Sequence, residues 1–413
     1  MAELVIIGNG FDLACGLKSS YSDFFYHRYT DDRKRQLYDY EGISSSELCK
    51  LNFWDFIFGY VDIFQIYKEH YLQGTWQSDK TILDLKNDKI LQNNMNFYES
   101  NSIFKSWQDI ENVLKKYLIL IDDSNIHKTV INNILSDKYI KTGNLEHLYS
   151  NEILELHLSL ILLKIIRVKQ TEKSIYKFDF IKEDGQEGFK RYLFKVLLSE
   201  LKEFENSFKD YLLNQVNKDT EYSIKATRLM FNQILDSPNL EREKIKILNF
   251  NYTSPLGNGP ISIRNVHGSL YDKGDIIFGI DNQKESSNER KSLRIFTKTY
   301  RILGSIYELH KIYFGIDLEI KNDDITVINF YGHSLGEADY SYFQSIFDGV
   351  NLYSSNVALK FLYSDFDRKE KERQFTRISD LLSDYGETLD NKDHGKNLMH
   401  KLLLESRLII KEI

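Results

Sequence analysis

Cysteine occurs twice in this chain of 413 residues, proline and tryptophan three times each, and methionine four times. The two thiols, Cys15 and Cys49, can build neither a four-thiolate zinc site nor a disulfide framework. No metal site is expected, and a reducing, cytoplasmic compartment is the simplest expectation. Long hydrophobic runs are also missing. The stretch 158–166 is broken by Ser159 and Lys164 and falls short of the roughly 18 residues a membrane span needs. The apolar run Leu4-Val5-Ile6-Ile7 is too short for a signal peptide and lacks a basic leader. Positive charge is not in excess either. The formal net charge is −7, so no broad basic face for nucleic acid is expected. The chain carries no internal repeat and no low-complexity tract.

What is there suits a packed protein. Hydrophobic residues make up 42% and aromatic residues 14%, ample for a core. The length implies two or three domains, or one domain with a large insertion. Leu4 to Ile7 reads as a buried strand closed at once by Gly8-Asn9-Gly10. Residues 20–29 read as a helix. Residues 50–240 hold a single proline, Pro238, and read as mostly helical, most clearly over 104–121, 152–168 and 188–216. Loops are expected near 87–101 and 182–188. Strands return at 245–250, 261–266, 275–280, 324–331 and 357–363, with a helix over 339–347 and charged helical sequence from Arg368 onward. The expected architecture is an α/β, doubly wound, mostly parallel Rossmann-like sheet with a large all-helical insertion. Residues 1–50 and 244–370 would form the nucleotide-binding domain, 51–243 the helical insertion and 371–413 a C-terminal helical segment.

Gly8-x-Gly10 between a strand and a helix is a turn that can bring backbone N–H groups to a pyrophosphate. Leu13 stands where a third glycine belongs, and no acidic residue closes a second strand about 20 residues on. Three polar clusters follow predicted strands at their carboxyl ends: Asn251-Tyr252, His267-Gly268, and Gly332-His333-Ser334 with Asp339 beyond it. That edge is where open α/β sheets bind ligands. Gly332-His333-Ser334-Leu335-Gly336 also matches the G-x-S-x-G nucleophile elbow. A serine hydrolase would use Ser334, His267-Gly268 as part of an oxyanion loop, and Asp365 with His394 or His400. Trp107-x-Asp109-x-Glu111 places its two acids roughly 200° apart on a helix, which fits a solvated helix start better than a shared site. The aromatic run through Phe204, Phe208 and Tyr211 reads as core.

These pieces together resemble the AbiH-type abortive-infection proteins of bacterial phage defence. The resemblance is carried by Ile6-Ile7-Gly8-Asn9-Gly10-Phe11-Asp12-Leu13, Gly16-Leu17, Tyr21, the Trp107 segment, Asn249-Phe250-Asn251-Tyr252-Thr253, His267-Gly268, Phe278-Gly279-Ile280-Asp281, Tyr331-Gly332-His333-Ser334-Leu335, Asp339, Tyr342 and Phe343. The same core is similar to the sirtuin-like NAD-binding fold, through the glycine turn, Gly16-Leu17-Lys18, Asn251-Tyr252-Thr253, His267-Gly268 and Gly332 to Asp339. Lys18 stands where that family has proline and Thr253 where it has aspartate. Its zinc cysteines are missing, so the likeness does not extend to protein deacetylation. What it implies is an enzyme that hydrolyses NAD to nicotinamide and ADP-ribose.

Under that resemblance His267 is the expected base and Asn251 orients the ribose or the attacking water. Gly8, Asn9 and Gly10 cradle the pyrophosphate. Gly332, His333, Ser334 and Asp339 hold the second half of the nucleotide, and Asp12 caps the first helix or contacts ribose. The expected partners are NAD or a related nucleotide and a phage-derived trigger, with a homo-oligomer open as well, since the helical insertion suits either a lid or an oligomerisation surface. A nucleotide-sensing module without turnover stays open beside the hydrolase readings.

Overall fold

The computed structural model describes residues 2–29, 52–55, 57–58, 110–123, 185–236, 240–256, 261–271, 275–280, 288–309, 325–336, 339–365 and 368–413. The segment around Trp107 and Asp109, the expected helix over 152–168 and the expected loop over 87–101 lie outside them. Two compact units emerge. The first comprises Met1–Ser20, Glu205–Glu285 and Thr297–Ile413, and the second Tyr21–Phe204 with Ser286–Phe296.

The first unit is built on one parallel sheet of six strands: β1 (Ala2–Ile7), β2 (Ile245–Asn249), β3 (Ser262–Asn265), β4 (Ile325–Tyr331), β5 (Ala358–Tyr363) and β6 (Leu408–Glu412). Their order is β3-β2-β1-β4-β5-β6, a doubly wound Rossmann-like arrangement. β1 is apolar without alternation because both of its faces are covered. Leu4 and Ile6 enter the core on one face. They pack with Ile328 and Phe330 of β4, Phe343 and Phe347 of α7 (Tyr340–Gly349), and residues of the C-terminal hairpin α8 (Glu370–Thr388) and α9 (Lys392–Leu404). Val5 and Ile7 enter the other face. There they meet Phe11 of α1 (Asn9–Ala14), Tyr222 and Ala226 of α5 (Tyr222–Leu229), and Met230 and Ile234 in the π-helical turn that follows. A one-residue slip of β1 would exchange these two sets.

The second unit contains α2 (Tyr21–Arg28), α3 (Ile110–Asp123) and the first part of α4 (Gly185–Lys218). Phe24, Phe25, Phe58 and Phe204 form one aromatic cluster. Arg28 holds Asp55 through two hydrogen bonds, at 2.6 and 2.9 Å. Glu111 falls in the first turn of α3, as a solvated helix start requires.

Three expectations need correction. The loop predicted over 182–188 gives way to helix from Gly185, because the buried series Leu193, Phe194, Leu197 and Leu201 drives α4 back through both glycines. Residues 275–280 are extended but join no strand of the sheet. Ile280 makes one isolated bridge with Thr297 and Ile277 N–H donates to His267 O at 3.0 Å, while side chains satisfy the backbone of Phe278: its N–H donates to Glu205 Oε1 at 2.6 Å and its O accepts from Arg301 at 2.7 Å. Residues 371–413 are not helical throughout. Ser406 takes a φ of 54°, Arg407 ties to the carbonyls of Leu352 and Val357, and the chain returns as β6 along β5.

Candidate active site

The strand order reverses between β1 and β4, and the loops leaving these two strands are packed together without side-chain separation. Gly8 N–H donates to Tyr331 O at 3.1 Å and Gly10 N–H to Gly332 O at 2.8 Å. A Cβ on Gly8 would lie 2.7 Å from His333 Cα, and one on Gly10 would lie 2.6 Å from Gly332 Cα. The glycines are therefore required by loop-on-loop packing, and their N–H groups are taken up inside the protein. This corrects the expectation that they cradle a pyrophosphate. Asn9 is exposed, and its Oδ1 accepts from Ser19 Oγ at 2.6 Å.

The segment after β2 puts all five of its side chains to structural use. Asn249 bridges its own turn, donating to Thr253 O at 2.7 Å and accepting from Asn251 N–H at 3.0 Å. Asn251 Nδ2 donates to Gly8 O at 3.0 Å, so this residue, expected at the ribose, positions the glycine turn. Tyr252 OH donates to Ile277 O at 3.2 Å. Thr253 Oγ1 donates to Asp12 Oδ2 at 2.8 Å, while Tyr222 OH donates to Asp12 Oδ1 at 2.6 Å. Asp12 is thus no helix cap; it sits buried under two hydroxyls. Burial raises its pKa from 3.8 to about 6, with the hydrogen bonds of Tyr222 and Thr253 opposing the rise.

Phe250, the fifth residue, packs edge-on against two imidazoles, with ring centres 5.5 Å from His267 and 4.4 Å from His333. Both imidazoles converge on Asp339. His267 Nε2 lies 2.9 Å from Asp339 Oδ1, and His333 Nε2 lies 3.3 Å from Asp339 Oδ2. Asp339 occupies the N-cap of α7, yet its side chain caps nothing there. A third donor, Lys298 Nζ, reaches Asp339 Oδ1 at 2.6 Å. Burial works to raise the Asp339 pKa; the Lys298 cation, followed by His267 and His333, outweighs it and holds the carboxyl well below its usual range. The start of α7 favours the anion as well.

An ionised Asp339 fixes both tautomers. The 2.9 Å contact needs a proton on His267 Nε2, which leaves Nδ1 bare. On His333 the Nδ1 accepts from Leu335 N–H at 2.9 Å, so its proton is on Nε2 and points at Asp339. His267 is 3% exposed, and its Nδ1 is a buried acceptor with no hydrogen-bond partner among the described residues. Burial first, then the Lys298 cation, outweighs Asp339 and pushes the His267 pKa down to about 4. At neutral pH this ring is an uncharged imidazole with one available lone pair.

Of the sequence-predicted residues, the structure brings together His267, His333 and Asp339, with Gly8, Gly10 and Gly332 forming the packed floor beside them. Ser334 is exposed. The left-handed positions near it are Gly332 at φ 69° and Leu335 at φ 55°, and α7 does not start until Tyr340. A nucleophile elbow requires the serine itself at the strained strand-to-helix turn. The other triad candidates are elsewhere: Asp365 accepts from Glu370 N–H at the start of α8, and His394 is exposed on α9, stacked on Tyr353. His400 is exposed on the same helix. Sequence reasoning missed Lys298 at the first position of α6 (Lys298–Leu309). The signal available was a cation at the start of a helix, where the macrodipole disfavours it.

Among the described residues no helix is long and apolar enough to cross a membrane. Neither the curated proteins nor the solved structures give a match to this chain. The family model for bacteriophage abortive infection AbiH matches residues 4–362, most of the length, and the chain belongs to that family.

Proposed function

We propose that this chain, an abortive-infection protein of bacterial phage defence by its family, acts by hydrolysing NAD to nicotinamide and ADP-ribose. The observation that carries the reading is the buried His267–Asp339 pair, whose bare Nδ1 lies by the reversal point of a Rossmann-like sheet, where such sheets take nucleotides. The likeness of His267-Gly268 and the segment from Gly332 to Asp339 to sirtuin-like NAD-binding proteins supports it.

The chemistry suits these residues. As the bond from the ribose C1′ to the nicotinamide nitrogen breaks, its electron pair neutralises the pyridinium ring, so the leaving group needs no acid. The ribose passes through an oxocarbenium-like state, as in glycoside cleavage. A water oxygen bonds to C1′ and its proton goes to His267 Nδ1. Asp339 stabilises the imidazolium that results, the part a buried carboxylate plays toward histidine in catalytic triads. In this reading the exposed Ser334 meets the nucleotide, His333 holds Asp339 in place, and Asn251 keeps the glycine turn in position.

The test is made in infected cells. Bacteria carrying the wild-type chain or His267→Ala are challenged with phage, and NAD is extracted and quantified. NAD should collapse with the wild type alone, and protection should be lost with the variant. Protection that persists while NAD stays constant would reject the proposal in favour of a sensor without turnover.

A further inference from the structure

Lys298 is a costly residue where it stands. It is 3% exposed, it opens α6 against the helix macrodipole, and its Nζ lies 3.4 Å from an imidazole nitrogen of His267. A leucine or methionine could fill the same space without desolvating a charge. What the ammonium supplies is the full positive charge in contact with Asp339, at 2.6 Å. Several titratable or charged groups among the described residues face His267. They are Asp339 and Tyr342 on the α7 side, His333 on the loop after β4, and Lys298 on α6, while the ring of Phe250 packs beside the imidazole.

A buried carboxylate must find a compensating charge. With Lys298 beside it, Asp339 has one, and His267 has only to donate its Nε2 proton. Without that ammonium the nearest group able to become a cation is His267 itself. It would take a second proton, on Nδ1, to form an imidazolium–carboxylate pair. We infer that Lys298 is a positioning residue: it satisfies the charge of Asp339 so that His267 keeps Nδ1 as a bare acceptor. Its catalytic consequence rests on the NAD reading above, whereas the protonation pattern does not depend on any substrate.

The test is the protonation of His267 in the ligand-free chain, read from its ring nitrogen shifts by NMR and assigned by their loss in His267→Gln. In the wild type at pH 7 one nitrogen should be protonated and one bare. In Lys298→Met the titration midpoint should rise from about 4 by about 1 to 3 pH units, as removal of a neighbouring cation from a buried site requires, so that at pH 5 both nitrogens are protonated in about half or more of the variant molecules while Nδ1 stays bare in the wild type. Lys298→Arg should restore the wild-type pattern. An unchanged His267 titration in a folded Lys298→Met would overturn the inference. So would an imidazolium in the wild type at pH 7, whether or not the variant folds. If the pattern is as described while NAD is left uncleaved, the NAD reading fails alone.

Discussion

Replacing Asp12 with asparagine should stabilise the sheet unit at neutral pH, although it removes a carboxylate that accepts hydrogen bonds from two hydroxyls. Burial lifts the Asp12 pKa from 3.8 to about 6, a difference of about two pH units, or ~3 kcal/mol against the charged form. Because the folded value lies above the unfolded one, the contribution of Asp12 is fully present below about 3.8. It is lost as pH rises through about 6. Asparagine does not ionise and keeps an oxygen for Thr253 or Tyr222. Its stability relative to wild type should therefore rise with pH, by about 2 kcal/mol between pH 4 and 8. Hydrogen exchange of peptides covering β1 and β4 measures this, since intrinsic rates cancel when both proteins are compared at one pH. The exchange ratio should change by about thirtyfold across that range. A ratio that does not vary with pH, or one that moves in favour of the wild type as pH rises, would refute the reasoning.

Three further outcomes follow from the same geometry. Arg301→Met leaves the buried Glu205 without its compensating cation, so that it must stay charged unpaired or take up a proton, and should lower stability by about 3 to 5 kcal/mol in denaturant titration; adding Glu205→Gln, which keeps the acceptor for Phe278 N–H, should recover most of it. Gly10→Ala should lower the melting temperature, because its Cβ would meet backbone at 2.6 Å, by more than the ~1 kcal/mol range of ordinary helix substitutions. The neutral state of His267 stabilises the fold above pH 6.5 and is lost as pH falls through about 4. Nicotinamide release should accordingly stay flat from pH 5.5 to 8 with its acid limb near 4; a limb near 6.5 would place the working base elsewhere.

The fold was legible where one physical cause dominated the pattern. Leu4 to Ile7 is a continuous apolar run, and residues 325–331 are mostly apolar and buried at all but Thr326, because both faces of a parallel sheet are covered. β6 was hidden because Leu408, Ile409 and Ile410 continue directly from an amphipathic helix, and only the left-handed turn at Ser406 separates them. Residues 275–280 read as a strand because their apolar pattern is that of one; Glu205 and Arg301, distant in sequence, supply the hydrogen bonds a neighbouring strand would have given. In the site, His267, His333 and Asp339 were visible as polar residues at strand ends. Their mutual contact was not, since it depends on how the loops converge. Lys298 was passed over, because an isolated lysine reads as solvated until the helix it opens is known. Gly8 and Gly10 were recognised as required, but for a ligand, whereas their first use is contact with the loop after β4.

The most direct test of the account is cleavage of NAD by the purified chain. Wild type and His267→Ala are incubated with NAD at pH 7, each alone and with extract of phage-infected cells that lack the gene, and nicotinamide is followed by chromatography. Release of nicotinamide and ADP-ribose in equal amounts by the wild type, lost in a folded His267→Ala, is the predicted result. No release by the wild type under either condition, or equal release by the variant, would contradict the assignment of His267 as the base of an NAD-cleaving site.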